Sequence, residues 1–269
     1  MVGFDHVWSV QAARAITAKC GRPVDVQSIV EVSKTGSHLG FGSLNDMARR
    51  LPEAIALHPT LVALVITPFD LADMPAGGFN PQQKPQTELE LRRIGLRERV
   101  RYLVSESRVM TVAQHFLYRD TKTYVWTYLH YGDRAAFLRP PMSPEWQTRL
   151  VYLDAAVGYI AAQLKPTGTP LLVVLAPTEA QAYIIADKME IPGVDAEAFG
   201  GTIAEIARRH GAIFADGAAA FQGVHDAQDD FYRVDGHFNA EGHELLGSVV
   251  AKAVLSAQPA GYCDKEASR

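Results

Sequence analysis

The stretch "PLLVVLAPT" (170–178) decides the fold. Five aliphatic residues, Leu171 to Leu175, stand between two prolines. The run is too short for a helix and too apolar for a strand with one wet face. It reads as a strand covered on both sides, as in a parallel sheet. Three further runs have the same character: "VDVQSIVEV" (24–32), "LVALVITPF" (61–69) and "AIFADG" (212–217). Helical patterns lie between and around them. One begins near Trp8, and a second follows Ser43, which is placed to cap it, with Pro52 set to kink it. Others cover 145–165, 200–211 (ended by Gly211) and 240–258 (capped by Asn239). This alternation predicts an α/β fold with a doubly wound, mostly parallel sheet in a three-layer α/β/α arrangement. Ligands are then expected at the carboxyl ends of the strands.

The bulk composition agrees with one large α/β domain. The chain has 269 residues, 48% of them hydrophobic and 21% charged, with a net charge of −4. No dense basic block points to nucleic acid. No apolar run reaches the roughly 18 residues of a membrane-spanning helix, and the first residues lack the pattern of an export signal. The two cysteines, Cys20 and Cys263, fit one disulfide or two free thiols, and no Cys/His cluster reads as a metal site. Residues 74–145 break the rhythm. They read as an insertion over or beside the sheet, made of a Gly/Pro/Gln-rich loop, a long helix and the aromatic stretch Tyr124–Tyr131. Residues 1–269 are read as a single domain carrying that insertion.

Two loops at the expected strand ends are unusual. "GSHLGFGS" (36–43) is glycine-rich just ahead of a helix, which lets backbone amides approach a ligand oxygen. "YRVDGHFNAEGH" (232–243) sets Asp235 two residues from His237. An imidazole that takes a proton and a carboxylate that orients it are two-thirds of a Ser–His–Asp hydrolase. The competing reading of the same loop is a polar helix cap with incidental histidines.

The ensemble of motifs resembles the SGNH (GDSL-type) hydrolase superfamily, in particular bacterial members ending in DGHxNxxGH. "YRVDGHFNAEGHELLG" is similar to the family's last block, "PLLVVLAPTEAQAY" to a strand and loop of this branch, and "GSHLGFGSLNDMARRLPEAIALHPTLVALVITPFDLAD" to the second and third blocks. The resemblance implies His237 as general base, Asp235 as its orienting partner and Gly40 as a backbone donor to the oxyanion; the alternative for Gly40 is a turn glycine. It implies no metal and no organic cofactor, and a small-molecule or glycan ester as substrate. Two departures stand out. Phe69, followed by Asp70, occupies the position of the third-block Asn that donates to the oxyanion. Asp70 is better read as a cap of the next turn. The Gly-Asp-Ser nucleophile motif is absent, and the resemblance places Met1 just downstream of it. A strand and serine ahead of Met1 are therefore expected, and with them an envelope-facing or membrane-anchored location. Ser37 is the weaker candidate for a nucleophile within the chain.

The rival function class is a non-catalytic relative that binds a carbohydrate or a protein. It draws on the missing serine and on Phe69, whereas the Asp235–His237 pair favours the enzyme. A nucleotide-binding Rossmann fold lacks its GxGxxG turn and a P-loop lysine.

Overall fold

The computed structural model describes residues 3–29, 44–72, 74, 77–82, 112, 116, 119–232, 236–258 and 263. The described elements run α1 (Trp8–Cys20), α2 (Leu44–Ala56), β1 (Val62–Ile66), α3 (Pro68–Ala72), α4 (Thr121–Leu129), α5 (Pro144–Leu164), β2 (Leu171–Leu175), α6 (Glu179–Ala186), α7 (Ala198–Arg209), β3 (Ile213–Asp216) and α8 (Ala240–Ala257).

The three strands form an open parallel sheet in the order β1-β2-β3, with Leu64 opposite Val173 and Val173 opposite Phe214. All five residues of β2 are buried, as its uninterrupted apolar run requires. Its side chains alternate between two cores. Leu171, Val173 and Leu175 face a large one with α5, α6 and α7, whereas Leu172 and Val174 face a smaller one with α1 and α8. Helices therefore cover both faces of β2, and the protein is a three-layer α/β structure in this region.

The strand expected at 24–32 is not found where it can be judged. Residues 24–29 carry no strand, and 30–32 lie outside the described residues. An apolar run becomes a strand only when a neighbour accepts its backbone hydrogen bonds. None does so here among the described residues, and Val24 instead donates its N–H to the Thr17 hydroxyl at 3.0 Å. The run at 61–69 stops as a strand at Ile66 for a local reason. Thr67 and Asp70 form a capping box: the Asp70 N–H reaches the Thr67 hydroxyl (3.3 Å), and the Thr67 N–H and hydroxyl donate to the Asp70 carboxylate (2.6 and 2.9 Å). The chain turns into α3 at that point.

Most helix boundaries follow the sequence reading. Asn239 caps α8 by accepting from the N–H groups of Glu241 and Gly242. Gly211 adopts φ +68 just beyond α7. The helix after Ser43 continues through Pro52 to Ala56, and Ser43 itself lies outside the described residues. Helix α4 begins at Thr121, just ahead of the aromatic stretch, where Asp120 caps it by accepting from the N–H of Thr123 at 2.8 Å. The described part of the 74–145 block contributes Val125, Phe137 and Leu138 to the same core as β2. The long helix expected ahead of it falls largely outside the described residues.

Helices α1 and α8 lie together on the smaller core. Their approach depends on Gly247: a Cβ there would stand 2.8 Å from both the Gln11 Cβ and the Trp8 carbonyl oxygen. Cys20, the last residue of α1, forms a disulfide with Cys263, which resolves the two readings of the cysteines in favour of the bond.

Candidate functional site

The loop before α8 is built as a tight return. Phe231 and Phe238 form an antiparallel bridge, the Tyr232 N–H donates to the His237 carbonyl (2.8 Å), and the Gly236 N–H donates to the Tyr232 carbonyl (3.1 Å). The Asn239 N–H closes the base on the Asp230 carbonyl at 3.1 Å. Phe221, Phe231 and Phe238 pack ring to ring beneath it, with centroids 4.8–6.3 Å apart. Aromatic burial on this scale holds a short loop in one place. His237 emerges from this frame exposed to solvent. Asp235, its expected partner, lies outside the described residues, as do Gly40 and Ser37.

Below the loop stands a residue that the sequence reading did not single out. Glu179 opens α6, four residues beyond the end of β2, and is only 3% exposed. Thr178 caps the helix, and the hydroxyl of Tyr183, one turn on, donates to Glu179 Oε1 at 2.6 Å. Tyr124 of α4 hydrogen-bonds the same carboxylate. Burial first, and then the charge and hydrogen bond of Glu179, push the Tyr124 phenol far above its usual range, so it stays protonated. Gly236 rests directly on this group. With φ at +71, the position of a Cβ at residue 236 lies 3.2 Å from Glu179 Oε2 and 3.8 Å from the Tyr124 hydroxyl. The signal in the sequence was a carboxylate at the first helical position after an all-apolar strand, with a tyrosine at i+4.

The other sequence candidates fall as follows. Phe69, at the carboxyl end of β1, is 39% exposed and lies 6.0 Å beneath the Arg134 guanidinium, so this position presents a ring and a cation. Asp70 is occupied in the capping box, as expected of it. Of the aromatic stretch, Tyr124 and Tyr128 turn inward, whereas Trp126 and Tyr131 are exposed and Trp126 stacks on His130. Trp146 is wholly buried, its indole N–H on the Asp133 carbonyl at 2.8 Å.

Two ionisable groups flank the loop. His243 is pushed below its usual value by burial first and by the nearby His237 second. Asp230 is pushed up to about 6 by burial and by the negative charges of Asp229, Glu241 and Asp226. Among the described residues no group of three or more His, Cys, Asp or Glu side chains is placed to hold a metal ion, and no helix is long and apolar enough to cross a membrane.

No protein-family model matches this chain, and neither a curated protein nor a solved structure matches it.

Proposed function

We propose that this protein is an SGNH-type serine ester hydrolase or acyltransferase acting on an acyl or O-acetyl ester. The observation that carries the proposal is an exposed His237 on a pinned loop at the carboxyl-end side of a parallel sheet, where open α/β folds bind their ligands. In this reading His237 takes the proton of a serine hydroxyl as the serine oxygen attacks the ester carbonyl. The tetrahedral intermediate collapses, and the alcohol leaves with the proton returned by His237. Water or an acceptor hydroxyl then attacks the acyl-serine, its proton passing to His237 and on to the departing serine. Asp235 orients the imidazole, and the Gly40 N–H donates to the oxyanion. The nucleophile is the serine that the family resemblance places ahead of Met1, with Ser37 as the weaker alternative. Neither a metal nor an organic cofactor takes part.

The test combines identity and activity. Protein isolated from its natural source is expected to exceed 29.4 kDa, to yield a peptide with Gly-Asp-Ser ahead of Val2, and to hydrolyse p-nitrophenyl acetate. H237A is expected to lose about 10³-fold or more in kcat/KM. Protein of 29.4 kDa without turnover would overturn the enzyme reading and favour the non-catalytic binding protein, for which the ring at Phe69 speaks.

A further inference from the structure

We propose that the outer face of α4 is a carbohydrate-binding platform: Trp126, backed by His130, offers its indole face to a pyranose ring of an uncharged glycan. The proposal goes beyond the ester reading and stands without it.

Helix α4 has two unlike sides. Val125, Tyr128 and Leu129 are buried in the core, and Tyr124 reaches the Glu179 carboxylate. On the other side Lys122, Trp126 and His130, spaced at i and i+4, form one exposed stripe. Trp126 is 64% exposed. A scattered exposed apolar side chain needs no explanation, but this one belongs to a fixed arrangement. The indole and the His130 imidazole stand with centroids 4.1 Å apart. His130 Nδ1 bonds the Trp126 carbonyl oxygen at 2.7 Å. A carbonyl only accepts, so Nδ1 carries the proton, and in the neutral ring Nε2 is an acceptor. The imidazole is thus set against the indole before any ligand arrives, which lowers the entropy cost of binding there.

The surroundings select the occupant. Lys122 is the cation of the stripe, and Asp120, two residues before it, stands close enough to offset its charge. Asp187 meets the same end of the helix through the Thr121 hydroxyl at 3.3 Å. A face without an excess of positive charge has no strong attraction for a polyanion such as nucleic acid. Its size argues against a protein: an aromatic residue offers roughly 150–250 Å², and a stable interface buries about 800 Å² on each partner. A pyranose matches what is present. Its C–H groups form a small apolar face whose partial positive charge suits the negative face of an indole. Its hydroxyls donate to an acceptor such as Nε2.

The test titrates the full chain with cellotetraose and with chitotetraose, read by saturation-transfer NMR on the sugar protons. At least one of them is expected to bind with a Kd of about 1 mM or tighter. W126A is expected to weaken that binding about tenfold, and W126F to restore most of it. H130A, which removes the support behind the indole, is expected to weaken it about threefold. Both positions are exposed, so the variants should melt with the natural protein. Absence of binding up to about 10 mM sugar overturns the proposal, and so does a W126A protein that binds like the natural one. Tighter Trp126-dependent binding of a thymidine hexanucleotide or a hexaglutamate peptide overturns it as well. The outcome separates from that of the functional proposal. Glycan binding without ester turnover sinks the enzyme reading alone, and ester turnover without glycan binding sinks this proposal alone.

Discussion

The backbone N–H of Trp8, the first residue of α1, donates to Nδ1 of His243 in α8 at 3.3 Å, across 235 positions of sequence. A side chain of the last helix thus satisfies a donor at the open end of the first, a place where helices lack internal partners. The bond requires Nδ1 without a proton, and a positive charge there would also face the positive end of the α1 dipole.

Protonation of His243 should therefore loosen the α1–α8 contact. Its pKa is lowered in the folded state, so the unfolded chain binds the extra proton more readily. The stability this group contributes is full above its unfolded value of about 6.5. It is lost as pH falls from there through the lowered folded value. H243N offers a neutral acceptor in place of Nδ1. Urea unfolding at pH 7.5 and 5.5 is expected to show a smaller acid loss in H243N than in the natural protein. Equal losses in both would exclude His243 as the source.

Asp230 acts with the opposite sign. Its pKa is raised to about 6, so the folded state holds its proton more tightly than the unfolded chain does. Its contribution is present below the unfolded value of about 3.8 and is lost as pH rises through 6. At neutral pH its charge is a burden set by burial and by Asp229, Glu241 and Asp226. D230N is expected to raise the melting temperature at pH 7 by about 1–3 °C and to change nothing at pH 3.5. A lower melting temperature for D230N at pH 7 would contradict this.

The Cys20–Cys263 bond closes a loop of 243 positions and ties the end of α1 to the far end of the chain. Constraint of the unfolded chain by so long a loop stabilises the fold by about 2–5 kcal/mol. Non-reduced protein is expected to show no free thiol under denaturing conditions. C20S and reduction by dithiothreitol should lower stability equally, and reduction should have no further effect on C20S. Two titratable thiols in freshly isolated protein would refute the assignment.

Gly247 offers a test whose sign is informative. In an exposed helix, Gly→Ala gains up to about 1 kcal/mol from propensity. Here the new methyl would meet the Gln11 Cβ and the Trp8 carbonyl at 2.8 Å. G247A is expected to destabilise the protein by about 1–3 kcal/mol, measured by denaturant unfolding. A neutral or stabilising result would mean that α1 and α8 do not approach so closely.

The strand at Leu171–Leu175 was legible because an unbroken aliphatic run has no wet face to offer, whatever surrounds it. The run at 24–32 looked alike and is not a strand over its described part, because β-structure needs a neighbour and the run cannot name one. The loop at 232–243 was legible as a cluster of acid–base residues, but what it rests on was not. Glu179 and Tyr183 are a helical turn apart, and the sequence places them together. Tyr124 is 55 positions from Glu179, and Gly236 is 57 positions from it on the other side.

The sequence by itself determined the buried character of the Leu171–Leu175 run, the Asn239 cap, the Gly211 stop and the role of Asp70, since each depends on residues within a few positions of one another. Only the tertiary structure decided that Cys20 meets Cys263, that His243 caps α1, and that Glu179 is buried beside Gly236. These are pairings between distant segments. Their energies come from desolvation and from donor–acceptor contact across the fold, and neither exists until the sheet and its helices have brought the partners together.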